Sequence, residues 1–432
     1  MILSLALAGC GVFKKIDKKR TPTIGERIPI LSFETKAEAE SELKDVTIVL
    51  PSPQPNADWS QPGGSQAKSG GHVALGDNIA PVWSASIGSG SSGTARLNSA
   101  PVVGGGRVFT MDITGTIRAF DAKTGSVAWS HDLRIPKKSV RTAFGGGVSF
   151  GDGRVFAASG QGLAAALDAA TGKLLWEKPL GEPLRGSPAV SGNRVFVLTQ
   201  DNQLFAMNAE TGDSLWNITG TVEVASILGA GAPAIALETV VAGFSSGELN
   251  ALRAENGRTV WSDQLARTGR STAMAALADI DASPVIDRGR VYAIGHGGRM
   301  VALELATGQR VWERNFAGTS TPWAAGEFIY IVTIEGEVLC LTRGEGKVRW
   351  VIQLEQFRKA KKKKGPLQWQ GPILAGEKLW VTGSNQTMLA INPYNGKVER
   401  TIKLSGPAYL APVVADNMLY LLTDDGKLTA YR

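Results

Sequence analysis

The sequence predicts an all-β protein, an eight-bladed β-propeller of four-stranded antiparallel blades, and three observations carry that reading. First, a segment of constant geometry recurs eight times. A Trp lies 28 residues after a Pro in Pro101–Trp129, Pro188–Trp216, Pro233–Trp261, Pro284–Trp312 and Pro322–Trp350. Val148–Trp176 keeps that offset without the Pro, and Pro372–Arg400 keeps it without the Trp. Second, apolar residues within each segment follow the spacing of strands rather than helices. Third, the eighth segment starts at Pro412 and reaches only Arg432, while a spare strand, Ala80-Pro81-Val82-Trp83-Ser84-Ala85, precedes the first. A ring closed by the N-terminal strand around Trp83 accounts for all three. A solenoid has no reason to keep its missing strand at the other terminus.

In chain order, Met1 to Cys10 is an apolar run ending in Leu7-Ala8-Gly9-Cys10. Small residues before a thiol suit cleavage and acylation, and the stretch resembles the lipobox of bacterial lipoproteins. That resemblance implies a signal peptide over 1–10 and a lipidated Cys10, and Gly11 resembles the outer-membrane sorting class. The run is short and has no basic residue ahead of it, so a start a few residues upstream is expected. Several acyl chains anchor far more firmly than one. Residues 11–79 are predicted to be a tether. It comprises a basic stretch from Lys14 to Arg20, a short helix over 36–44, a stiff Pro51-Ser52-Pro53-Gln54-Pro55 spacer and a flexible Gly-rich stretch over 63–71. The propeller is placed at 80–432.

Each repeat, counted from its Pro, has apolar residues at +7 and +9, as in Val195 and Val197, and usually an aromatic at +8, as in Phe196. Apolar character on both faces marks a strand covered on both sides. Turn residues such as Gly115 and Asn202 follow at +14, where a positive φ is needed. Position +18 is Ala, or Cys340 in one copy, which lets neighbouring blades approach. Gly occupies +24 in all seven complete copies, and the closing strand carries the Trp.

Hydrophobic residues make up 43% of the 432, enough for a large core. The 46 Lys and Arg against 39 Asp and Glu form no basic stripe with interleaved aromatics, so no nucleic-acid partner is predicted. The two cysteines, Cys10 and Cys340, give no disulfide, and His72, His131 and His296 lack ligand spacing, so neither a metal nor a cofactor is predicted. No stretch after the leader is long enough to cross a membrane as a helix.

The constant unit pushes all length variation into the links between a Trp and the next repeat. Four are long: 130–147, 217–232, 262–283 and 351–371. In a four-stranded blade these links share one face of the disc with the middle hairpin turns, while the Gly+24 turns occupy the leaner face. Binding commonly resides in loops held by a rigid scaffold, so the first face is predicted to dock a partner. The last link contains Lys359-Ala360-Lys361-Lys362-Lys363-Lys364, a solvated loop or a surface attracted to anionic headgroups or an acidic partner.

The hairpins Ala119-Phe120-Asp121-Ala122-Lys123-Thr124-Gly125-Ser126-Val127-Ala128-Trp129 and Ala166–Trp176 resemble the pyrroloquinoline-quinone (PQQ) repeat. Quinoprotein dehydrogenases and the outer-membrane assembly lipoproteins of the BamB family share that repeat. The dehydrogenases use a vicinal disulfide and a Ca²⁺ site, and this chain has no adjacent Cys pair; with the lipobox, it resembles the BamB family instead. The resemblance implies a non-enzymatic scaffold of the β-barrel assembly (BAM) complex, lipid-anchored at the periplasmic face of the outer membrane. It would be a monomer within that complex, binding the POTRA domains of BamA and other subunits, with unfolded outer-membrane proteins as further partners. In the family the contact lies in an apolar stretch ending in Arg-Gly ahead of one repeat Pro, and in an Asp-x-Asp ahead of the next. Here the second is Asp279-Ile280-Asp281 before Pro284; the first is matched to Val224-Ala225-Ser226-Ile227-Leu228-Gly229, with Leu228 in place of the Arg. Ala225, Ile227, Leu228, Asp279 and Asp281 are therefore the expected partner-binding residues. Charge reversal at the two aspartates is expected to weaken partner binding and leave stability intact. The alternatives are a PQQ-dependent enzyme and a cell-wall-binding propeller, the latter requiring exposed aromatics such as Trp323 and Trp369 on one face.

Overall fold

In a computed structural model the described residues are 37–134, 145–221, 231–265 and 278–432. Cys10, Ala225, Ile227 and Leu228 lie outside them. Eight four-stranded antiparallel sheets follow in sequence. Blade 1 runs from the inner strand Val102–Gly104 through Arg107–Met111 and Thr116–Asp121 to the outer strand Val127–Asp132. Blade 8 is Val413–Ala415, Met418–Leu422 and Lys427–Tyr431, with Pro81–Ser86 as its outer strand. Trp83 stands opposite Ala430 there, as Trp129 stands opposite Ala119 in blade 1.

The repeating Trp and Gly are two halves of one contact. Each outer-strand indole N–H donates to a backbone carbonyl in the next blade: Trp83 to Ala122 at 3.1 Å, Trp129 to Ala169 at 3.0 Å, Trp176 to Ala209 at 3.0 Å and Trp312 to Arg343 at 3.0 Å. The indole lies against that blade's Gly+24 turn. A Cβ on Gly172 or Gly212 would come within 2.6 Å of the ring, and both glycines have φ above +70°. Glycine is thus required twice, by backbone sign and by the closeness of the indole. Within its own blade the Trp packs on the +8 aromatic, as Phe196 against Trp216 with centroids 5.8 Å apart. Blade 7 lacks the Trp, and Arg400 donates to the Ile79 carbonyl instead.

Middle strands such as Phe328–Val332 are buried throughout, whereas outer strands keep only the Trp side covered. Cys340 is buried opposite Trp350, in the small-residue position that its spacing predicts.

Residues 37–79, expected as part of a tether, are bound to the propeller. Only one turn of 3-10 helix, Ser41–Leu43, forms where a short helix was predicted. The chain then enters the axis of the ring, and residues 54–75 meet the inner strands of all eight blades. Trp59 exchanges two 2.8 Å backbone hydrogen bonds with Val103 of blade 1. Phe150 N–H of blade 2 donates to Ser60, Ile235 of blade 4 to Gln66, and Ile286 of blade 5 to Ala67. In blade 3 the Gln61 side chain imitates a strand, donating to the Val190 carbonyl at 2.8 Å and accepting from its N–H at 3.1 Å. Blade 6 contributes Trp323, which stacks on Trp59 at 5.8 Å and 8° and donates to the Gly71 carbonyl. Val73 bonds to blade 7 and Asn56 to blade 8. The physical reason is general: inner strands turn an unpaired edge toward the axis, and those polar groups need partners away from water. Residues 54–75 supply them, the Gly-rich stretch over 63–71 contributing Gln66, Ala67 and Gly71, and Gly70 is small because a Cβ would overlap the Trp323 ring.

Candidate partner-binding face

The axial segment closes the channel toward the Gly+24 turns, so the opposite mouth is a blind funnel. It holds a cavity of about 560 Å³ floored by Trp59, Pro62 and Trp323. Its wall comes from the links that enter the inner strands, including Ser99, Ser187, Asp281, Ser283, Ser320 and Gln370. At the rim Arg96 pairs with Asp424 at 3.1 Å and lies 5.4 Å over the Tyr409 ring. The links at 130–147, 217–232 and 262–283 lead into this face, with 135–144, 222–230 and 266–277 outside the described residues.

The Asp-x-Asp motif forms part of the funnel and is pinned there. Ile280 is 1% exposed, packs in the core of blades 4 and 5, and takes the Phe244 carbonyl with its N–H. Ser283 Oγ accepts from Ala232 N–H at 3.0 Å. Flanking Ile280, the two carboxylates meet one guanidinium: Arg185 Nη2 donates to Asp279 Oδ1 at 3.1 Å and to Asp281 Oδ1 at 3.3 Å. Side-chain exposures of 1% for Arg185, 1% for Asp279 and 8% for Asp281 make this a buried cluster. Asp281 alone of the three lines the funnel. Burial, and then the neighbouring Asp279 charge, push its carboxyl up to about 7 against the pull of Arg185.

Two expectations change in consequence. Asp279 is fully buried, so its side chain serves the cluster, and charge reversal there would not leave stability intact as expected. An Arg-Gly does stand ahead of a repeat Pro one repeat earlier, Leu184-Arg185-Gly186 before Pro188, and Arg185 reaches from blade 3 to the Asp-x-Asp ahead of blade 5. Its sequence signal is the Arg-Gly ahead of Pro188, but Arg185 lies 94 residues from Asp279 and so shows no local link to it. The aromatics required by a cell-wall-binding propeller are not exposed either: Trp323 is 1% and Trp369 6% accessible, and the Trp369 N–H donates to the Glu355 carbonyl.

The link at 351–371 is fully described. Phe357–Lys359 and Lys364–Pro366 pair as a two-stranded hairpin around a 3-10 turn, and residues 358–366 are all exposed. His72, by contrast, is a buried strut of the axial segment. Its Nδ1 lies 2.7 Å from the Pro51 carbonyl, and Nε2 accepts from Glu377 N–H at 3.1 Å. Among the described residues no group of three or more potential ligands is placed to hold a metal.

The family model described as "Outer membrane protein assembly factor BamB" matches residues 69–143, 114–352 and 356–432. A curated protein of that name from Yersinia pestis is 26% identical over 356 residues, 81% of this chain and 88% of its own length. One from Vibrio cholerae is 38% identical over 252 residues, 58% of this chain and 64% of its own. Among solved structures, BamB from Moraxella catarrhalis superposes with a TM-score of 0.69 at 20% identity, over 82% of this chain and all of that one. A europium-containing methanol dehydrogenase gives 0.68 at 15%, over 87% and 89%. At these identities the structural likenesses speak for the propeller alone, which enzymes and assembly factors share. The sequence match distinguishes them: the chain belongs to the outer membrane protein assembly factor BamB family.

Proposed function

We propose that this protein is a non-enzymatic scaffold of the BAM complex, anchored through lipidated Cys10 at the periplasmic face of the outer membrane. Its funnel face docks the POTRA domains of BamA, and so assists insertion of outer-membrane β-barrel proteins. Family membership supports the complex. The observation that carries the docking face is the pinned Asp-x-Asp. Ile280 and the Arg185 cluster hold Asp281 on the funnel wall, and Ala225, Ile227 and Leu228 belong to the preceding long link, 217–232. A preorganised surface loses little conformational entropy when it binds. In this reading Asp279 orients Arg185 and Asp281, and the contact runs through Asp281 with Ala225, Ile227 and Leu228. A subsidiary role toward unfolded barrel proteins is β-augmentation on the outer strands. Their free edges are accompanied by exposed Val127, Leu174, Leu175 and Leu215.

Site-specific photo-cross-linkers at positions 225, 228 and 281, activated in native membranes, test the docking. Capture of the periplasmic region of BamA from all three supports it. Capture from outer-strand positions and not from these three would move the interface to the rim and sink the assignment.

A further inference from the structure

The chain carries 46 Lys and Arg against 39 Asp and Glu, and six of those cations fall within seven residues: Arg358, Lys359, Lys361, Lys362, Lys363 and Lys364. Without them the remaining 40 basic residues nearly balance the 39 acidic ones, so almost the whole net charge of the protein sits on one hairpin. Every one of the six is exposed, and none forms an ion pair with a described residue. Among the six, only the Arg358 side chain hydrogen-bonds to a described residue, donating to the Ser384 carbonyl, which braces the base of the hairpin. A cluster with no internal counter-charge repels itself, and a surface of opposite sign relieves that repulsion.

We infer that this hairpin is a second membrane contact, docking on anionic lipid headgroups. Two observations favour a bilayer over an acidic protein. Five of the six cations are lysines, compact mobile charges suited to a diffuse anionic layer, whereas recognition of defined carboxylates favours the bidentate fork of arginine. The tip also carries no aromatic or large apolar side chain to anchor a protein interface, only Ala360 among the charges and Gly365 and Pro366 after them.

Its place in the fold fits as well. The first described residues, from Ala37 on, lie against the blade 6 outer strand, Val348–Gln353. There Glu40 N–H bonds to the Val348 carbonyl, and Lys347 pairs with Glu42 at 2.6 Å. The hairpin opens four residues beyond the other end of that strand, at Phe357.

The inference is independent of the docking of BamA, because the test contains no other protein. The full chain carrying Cys10→Ala, and so unacylated, is co-sedimented with vesicles of phosphatidylcholine alone or with one-third phosphatidylglycerol. Binding to the anionic vesicles only, abolished at about 0.5 M salt, is expected. Each charge multiplies partitioning about fivefold. The variant Lys361→Gln, Lys362→Gln, Lys363→Gln and Lys364→Gln is thus expected to lose at least about a hundredfold, with an unchanged Tm because these side chains are exposed and form no ion pair with a described residue. Replacing the same four with Arg is expected to retain binding. Equal sedimentation of the Gln variant, or no preference for anionic vesicles, overturns the inference.

Discussion

Replacing Trp59 with Ala tests whether the axial segment is a built part of the ring. Trp59 is 2% exposed, stacked on Trp323 and paired through its backbone with Val103. A buried Trp removes about 150–250 Å² from water, worth roughly 4–6 kcal/mol at 25 cal/mol/Å². An extended-chain reference overstates that by about 10–40%, and the lost stacking adds about 1 kcal/mol. A loss of about 3–5 kcal/mol is therefore expected, in line with other buried Trp→Ala changes. For roughly 400 residues this corresponds to a Tm drop of about 5 °C.

Trypsin distinguishes local release from global loosening. Lys68 is 0% exposed, so cleavage after it reports opening of the axial segment. Wild type should resist there. The Trp59→Ala chain should be cut after Lys68 under conditions that leave the lysines within the blades intact, with the fragments assigned by mass. A variant within about 1 kcal/mol of wild type and still protected at Lys68 would refute the account of the plug. Rapid cleavage of wild type at Lys68 would do so equally.

Further outcomes follow from the same geometry. Gly212→Ala should cost about 2 kcal/mol or more in chemical unfolding, since it adds a Cβ 2.6 Å from the Trp176 ring at φ +71°; Gly192→Ala, also at positive φ but with nothing within 4 Å, should cost only about 1 kcal/mol. Asp279→Ala leaves Arg185 with one carboxylate partner and an unmade hydrogen bond in a buried site, and should cost about 1–3 kcal/mol; an unchanged Tm would show that the cluster is not formed. The Asp281 carboxyl titrates near 3.8 when unfolded and at about 7 when folded, so the native state holds more protons between those values. The stability from this group is complete below about 4 and is lost as pH rises through 7, at up to about 1.4 kcal/mol per pH unit. Asp281→Asn should remove that decline, measured as the difference between two urea-unfolding series over this range; parallel profiles would rule out the shifted carboxyl.

Local patterns were legible in the sequence because each repeat states its own geometry. The alternation around Phe196 specifies a strand, the Gly at +24 a positive-φ turn, and Trp83 ahead of the first repeat a strand belonging to the last. Tertiary structure decided what has no period. Residues 54–75 fall in a stretch that reads as tether, with a stiff spacer over 51–55 and a flexible part over 63–71, because nothing local in Trp59, Gln61 or Gly70 announces eight unpaired strand edges around an axis. The Asp279-Ile280-Asp281 motif was visible, but the direction of its carboxylates was not. Arg185 lies 94 residues from Asp279, and only the ring brings the two links to one mouth. The repeats of this sequence determined a closed propeller, and closure itself, by creating an axis and a face, determined what plugs the channel and which charges are buried beside it.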